Sequence, residues 1–242
     1  MFHILEQISF QGLFLYNPFM TKQVQNKLLH HLHLLQTLGY TYSKPFDFNL
    51  CATNNFELPN NLEQLQWLVD HCSLCEFSKY KTRIDFSQGN IDAKIMFIDE
   101  TASVISDDNN KIVLGKSGEL LITMIEKVLN VPHHEFYYTN IMKCKTALKK
   151  EPTPCEINSC KPYLNQQIKL VNPKLIVALG ERCYQNLTND KSSIEQIRGK
   201  ILKYNGIDIM LIYHPNYLLR NPSSKKEAFV DMLKIKSLLE QM

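Results

Sequence analysis

The run Lys94-Ile-Met-Phe-Ile98 constrains this chain most. Apolar residues with no polar position between them are what a strand buried on both faces requires. Three more runs of this kind follow: Phe136 to Thr139, Leu175-Ile-Val-Ala-Leu179, and Ile207 to Tyr213. Segments of helical period separate them. Leu120, Leu121, Met124, Ile125, Val128 and Leu129 make an apolar stripe on a helix predicted from a Ser117 cap to Asn130, with Pro132 beyond it. Thr153-Pro-Cys-Glu156 is a capping box with proline at the first helical position, and its helix runs to Val171, before Asn172-Pro173. Gly180 turns the third strand into a short helix containing Cys183. Ser224-x-x-Glu227 reads as a second capping box, opening a last helix with Phe229, Met232, Leu233 and Leu239 inward. Strands alternating with helices predict an α/β fold, a three-layer αβα sandwich around a central four-stranded parallel sheet.

The first part of the chain reads differently. Residues 1–20 show no clear period, and Thr21 caps a predicted helix to about Leu38, stopped by Gly39. His30, His31 and His33 on that helix do not share one face and read as solvated. Residues 40–60 are rich in Asn, Pro, Ser and Thr and read as a linker. A helix from Asn61 to about His71 follows. The expected organisation is an N-terminal helical extension and linker over 1–66, then an α/β domain with a cysteine site over 67–242. No apolar run approaches the roughly 20 residues of a membrane span. The N-terminus carries Glu6 and lacks a signal peptide's basic and apolar regions, so a cytoplasmic monomer is expected. A net charge of +3 permits a local nucleic-acid footprint without demanding one.

The cysteines carry the first chemical signal. Seven is an odd number, which argues against a pure disulfide framework. Cys72-Ser-Leu-Cys75 lets two sulfurs converge on one ion or cluster. A redox dithiol normally follows a strand and opens a helix, whereas here a helix comes first. With Cys144 and Cys160 the set is one tight pair plus two separated singles. Four thiolates suit zinc or a [4Fe–4S] cluster, and the spacing leans towards the cluster because structural zinc usually takes two tight pairs. Cys155 lies five residues from Cys160, off its face, and reads as an ordinary thiol, with a competing ligand as the alternative. Cys51 and Cys183 are also left over.

The strand ends carry the second signal. Ligands bind beyond the carboxyl ends of parallel strands, and those ends hold Asp99, Glu100, Asn140, Gly180 and His214. The Asn140 amide is able to accept from a ring N–H and donate to a carbonyl of one planar partner, a pairing that fits uracil and rejects cytosine. The plain alternative is a strand-end cap. His214, before Pro215, is a candidate proton donor or anion stabiliser, with a hydrogen-bonded loop histidine as the alternative.

From Cys72 onwards the chain resembles the iron–sulfur family of uracil-DNA glycosylases (family 4), within the wider uracil-DNA glycosylase superfamily. The resemblance rests on Cys72-x-x-Cys75, Gly89-Asn90-x-Asp92-Ala93-Lys94-Ile-Met, Gly115-Lys-Ser-Gly118-Glu-Leu-Leu and Tyr138-Thr-Asn140-x-x-Lys-Cys144. It continues through Cys160-x-Pro-Tyr-Leu, Pro173-Lys-Leu-Ile-Val-Ala-Leu-Gly180 and His214-Pro-x-Tyr-Leu-Leu-Arg220-Asn-Pro. It implies a structural [4Fe–4S] cluster on Cys72, Cys75, Cys144 and Cys160. It also implies uracil recognition by Asn140, anion stabilisation by His214 and a catalytic role for Glu100. Uracil-containing DNA, single- or double-stranded, would be gripped through a phosphate rim of Lys143, Lys145, Lys149, Lys150, Arg198, Lys200 and Arg220, with the base flipped into the pocket. The first motif departs from the family: a Gly-Glu and glycine-proline turn is replaced by Asp99-Glu100-Thr101-Ala102-Ser103, and the stacking aromatic by Val113. Two function classes follow, a uracil-excising hydrolase or a DNA-binding homologue with weak or no glycosylase activity. A zinc-stabilised small-molecule α/β protein is disfavoured by the strings above. Base stacking on an aromatic is worth about 1–3 kcal/mol, so Val113→Phe is expected to raise uracil excision about ten- to a hundredfold, and an unchanged rate would exclude missing stacking as the defect.

Overall fold

The structure, a computed structural model, describes residues 58–101, 115–132, 134–146 and 151–242. The expected helix from Thr21 to Leu38, its histidines, Cys51, Val113, Lys149 and Lys150 lie outside the described residues. By its contacts the chain divides into Met1–Phe48 and Asn49–Met242, and the described residues belong to the second unit.

Helix α1 (Leu62–Asp70) is capped by Asn61, whose side chain accepts from the Glu63 and Gln64 N–H groups. Its Leu65 and Val69 are buried, packed with Phe86. After the short α2 (Glu76–Lys79) come β1 (Lys81–Ile84), β2 (Ser87–Gly89) and β3 (Ile95–Thr101). Helix α3 is described from Gly115 to Met124, so Ser117 lies within its first turn rather than capping it. It widens into a π-helical turn over Ile125–Leu129 and ends at Asn130 in the left-handed conformation (φ 57°). Strands β4 (Tyr137–Met142) and β5 (Cys144–Thr146) lead to α4 (Pro154–Val171). The expected capping box at Thr153 and Glu156 is present, and Asn172 closes α4 in the left-handed conformation. Then follow β6 (Leu175–Leu179), α5 (Glu181–Thr188), α6 (Ile194–Ile197), β7 (Ile201–Tyr204), β8 (Ile207–Ile212), α7 (Pro215–Arg220) and α8 (Lys225–Glu240).

The four apolar runs are the four inner strands, β4-β3-β6-β8, all parallel. The sheet has six strands, however, because β2 and β7 add antiparallel edges. Both edges are short and largely half-exposed, so neither carries a buried apolar run in the sequence. A separate two-stranded sheet pairs β1 with β5. One layer packs Met96, Ile98, Ile176 and Ala178 of the sheet under α4 and α5; the other packs Phe97, Val177 and Met210 under α3 and α8. The three-layer αβα architecture expected from the sequence is therefore present.

The last helix departs from expectation. Residues 222–224 form a 3-10 turn, so Ser224 already has helical angles and makes no capping hydrogen bond. Glu227 is taken up instead by Arg198 at 2.9 Å and by the Tyr213 hydroxyl at 3.1 Å. Met232 is buried, but Phe229 and Leu233 face outward.

Candidate active site

Four parallel strands end side by side, and their ends carry the site. Asp99 of β3 is in register with Asn140 of β4, so the two side chains share one face. On the next strands, β6 runs into Gly180 and β8 into Tyr213 and His214. Gly180 has φ +85°, and a Cβ there would come 3.0 Å from the His214 Cβ. The glycine thus serves both a left-handed backbone and the close approach of His214.

His214 caps α7: the Asn216 N–H donates to its Nδ1 at 3.0 Å. A backbone amide only donates, so a neutral His214 carries its proton on Nε2. That nitrogen lies 3.0 Å from Asp99 Oδ2 and donates to it. The Tyr138 hydroxyl donates to the same oxygen at 3.2 Å, and the Glu100 N–H donates to Oδ1 at 2.6 Å. Burial works against a charged His214, but the Asp99 carboxylate and its hydrogen bond outweigh it and raise the imidazole pKa. Burial, and then the Asp99 charge, push the Tyr138 hydroxyl well up.

Asn140 is 0% exposed, and neither its Nδ2 nor its Oδ1 has a hydrogen-bond partner among the described residues. Its main chain is pinned, since its carbonyl accepts from Lys143 Nζ at 2.6 Å. Leaving a buried polar group unpaired costs about 1–3 kcal/mol, so an amide with both ends idle is a ready seat for one planar donor–acceptor ligand.

Glu100 is not bonded to His214. Its Oε1 takes the Arg182 guanidinium at 3.1 Å and the Asn186 amide at 2.9 Å, both from α5. Burial raises its pKa despite Arg182. The carboxylate that the fold joins to His214 is Asp99, which the sequence placed among the strand-end residues but gave no role.

The cysteines gather on the other face, at α4. Cys72 follows α1, in a loop whose Asp70 and Cys72 carbonyls accept from Lys81 Nζ at 2.5 and 3.3 Å. Cys75 is the N-cap of α2, Cys144 opens β5, and Cys160 lies on the buried side of α4. None of the described cysteines is in a disulfide. The Cys144 thiol is pushed up to about 12, by burial first and then by Cys160, Cys75 and Cys72. Cys160 is pushed up to about 11 by burial, with Cys72 and Cys75 adding to it and Lys143 opposing. The four thiols are thus electrostatic neighbours. Among the described residues, no three His, Cys, Asp or Glu side chains are close enough to chelate a single ion. Cys155 stands in the first turn of α4, half-buried, and Cys183 is buried with its thiol on the Ile98 carbonyl at 3.1 Å.

A family model described as the uracil DNA glycosylase superfamily matches residues 86–234. The chain belongs to the uracil-DNA glycosylase superfamily. A type-4 uracil-DNA glycosylase of Sulfurisphaera tokodaii is 32% identical over 187 residues, which cover 74% of this chain and 85% of that protein. Another from Saccharolobus solfataricus is 31% identical over 188 residues, 74% of this chain and 87% of that protein. One from Thermotoga maritima is 30% identical over 177 residues, 72% and 92% respectively.

In this superfamily member the basic residues divide. Lys143, expected on the phosphate rim, is 0% exposed. Its ammonium donates to Thr139 Oγ1 and the Asn140 carbonyl, both at 2.6 Å, and to Gln167 Oε1. Burial lowers its pKa to about 7. Gln167 in turn donates to the Phe86 carbonyl at 3.2 Å and the Tyr137 hydroxyl at 3.1 Å. Arg198 is engaged within the chain: buried Asp231 holds it at 2.5 Å, Glu227 at 2.9 Å, and it lies over the Tyr213 ring at 4.9 Å. Arg220 is exposed at the end of α7, and Lys145 is half-exposed on β5. Lys143→Met is expected to lower unfolding free energy by about 2–4 kcal/mol, because it removes three hydrogen bonds to buried oxygens. Chemical denaturation measures that loss, while the salt dependence of DNA binding should stay unchanged, as it would not for a phosphate contact.

Proposed function

We propose that this protein is a DNA-repair glycosylase that flips uracil out of DNA and hydrolyses its N-glycosidic bond. The observation that carries this reading is the buried, idle amide of Asn140 at the carboxyl end of the sheet. Uracil offers N3–H to Oδ1 and a ring carbonyl to Nδ2; cytosine presents the reverse pattern and pairs only with the amide turned over. As the C1′–N1 bond breaks, its electron pair leaves with the uracil ring as an N1/O2 anion and the sugar becomes oxocarbenium-like. Water adds its oxygen to C1′ and gives up a proton that balances the uracil charge. An imidazole N–H at His214 stabilises the departing anion. Glu100, anchored through Oε1 by Arg182 and Asn186, is the carboxylate assigned to orient the water in this reading. Lys145, Lys149, Lys150 and Arg220 supply phosphate contacts, which fix register without reading sequence.

Cys72, Cys75, Cys144 and Cys160 hold a [4Fe–4S] cluster in this reading. The donor set fits: four neighbouring thiols, several raised by burial and by one another, become favourable once a cationic core draws off their protons. Held by these four cysteines, a cluster would cross-link the Cys72 loop, α2, β5 and α4 and would supply structure rather than bond cleavage.

A second reading, a DNA-binding homologue without glycosylase activity, is favoured by one observation: the His214 Nε2–H is bonded to Asp99. Incubation with uracil-containing single- and double-stranded DNA, followed by alkali, separates the two. Strand cleavage is expected, with Asn140→Ala reducing it about a hundredfold or more. No cleavage at stoichiometric enzyme, with binding retained, would decide for the second reading. For the cluster, anaerobically purified protein should be brown and carry about four irons per chain. Cys160→Ser should lose colour and iron, and a colourless zinc-loaded preparation would refute the assignment.

A further inference from the structure

The imidazole of His214 has two nitrogens, and both are committed within the chain. Nδ1 accepts from the Asn216 N–H at 3.0 Å, and Nε2 donates to Asp99 at 3.0 Å. No N–H of this ring is left for a ligand. The oxygen that takes it, Asp99 Oδ2, also receives the Tyr138 hydroxyl at 3.2 Å. Two donors converging on one oxygen make an anion seat, and here the chain's own carboxylate fills it. Asp99 is not a loose surface group. It is buried, its other oxygen is bonded to the Glu100 N–H at 2.6 Å, and it stands in register beside the idle amide of Asn140.

A base seated on Asn140 therefore meets Asp99 where its developing charge needs a donor. A carboxylate there removes the N–H from reach and adds like-charge repulsion against a uracil anion. We propose that Asp99 is a rate-setting positioning residue: its carboxylate occupies the anion seat of His214 and Tyr138, and uracil departs only when that carboxylate yields the seat. This inference rests on the glycosylase reading above and adds that the wild-type enzyme is self-restrained. Glu100 does not share the role, since its Oε1 is held on α5 by Arg182 and Asn186. Among the described residues, the charged groups acting on His214 are Asp99, Glu100 and Arg220, and of these only Asp99 hydrogen-bonds to Nε2.

The test compares wild type with Asp99→Asn, which keeps the shape and the oxygen for the Glu100 N–H, and with Asp99→Gly. Thermal melting checks folding of both. Single-turnover excision of uracil from DNA should rise about tenfold or more in each, the size expected when a competing charged hydrogen bond is removed. Affinity for free uracil, measured calorimetrically, should rise in the same direction. The His214 ring, followed by NMR, should titrate at lower pH in Asp99→Asn, a change that a mere packing role would not produce. Slower excision together with weaker uracil binding in both folded variants would overturn the inference and make Asp99 a helper of His214. If neither wild type nor variants release uracil, the glycosylase reading fails. Free-uracil affinity then decides on Asp99 by itself: tighter in the variants upholds the competition, equal or weaker refutes it.

Discussion

The buried ammonium of Lys143 is the interaction on which the arrangement of both centres depends. It stands between the strand that carries Asn140 and the strand that Cys144 opens. Its side chain binds Thr139, the Asn140 carbonyl and Gln167, while its main-chain N–H donates to the Cys160 sulfur at 3.4 Å. One residue thus ties β4 to α4 and to a thiol of the cysteine group. An ammonium has three donors, and each finds an oxygen, which is what makes its burial tolerable. The same network reaches the Phe86 carbonyl and Tyr137 through Gln167, so the edge next to β2 is fastened to the helix layer as well. The Asn140 backbone is immobilised from the α4 face and its amide left idle on the other, which is preorganisation of a polar side chain.

The sheet separates two chemistries. On the α4 side, thiols lie close to one another and to a lysine, and burial raises the Cys144 and Cys160 thiols. Beyond the strand ends, carboxylates dominate: Asp99 on His214, Glu100 on Arg182 and Asn186. Asp99 gives the first motif a different character from a glycine-rich turn. Glycine there would leave room for a ligand's backbone or base; a carboxylate brings its own charge and engages the histidine first.

Much of this was legible in the sequence because burial on both faces leaves a local signature. The runs at Lys94–Ile98, Leu175–Leu179 and Ile207–Tyr213 need no partner to be recognised, since a parallel strand must be apolar throughout. The Thr153–Glu156 cap was equally plain, because its two hydrogen bonds close within four residues. The edge strands β2 and β7 were not legible: three or four half-exposed residues carry no pattern, and their pairing depends on a neighbour already in place. Ser224-x-x-Glu227 shows the reverse error. Its local motif is sound, but Arg198 and Tyr213 outcompete the cap for Glu227.

The sequence by itself determined the layer architecture, the family, and the placing of Gly180 and His214 just past strand ends, all of which follow from periodicity and short strings, whereas β4 runs two residues beyond Asn140, the expected strand end. Only the tertiary structure decided what the charged groups do. Lys143 looks like any solvated lysine until α4 brings Gln167 over it. Asp99 and His214 lie 115 residues apart and meet because β3, β6 and β8 run parallel and end together. Hydrophobic burial is additive along a chain and can be read from it, whereas a charge takes its role from its nearest partner, which the fold supplies.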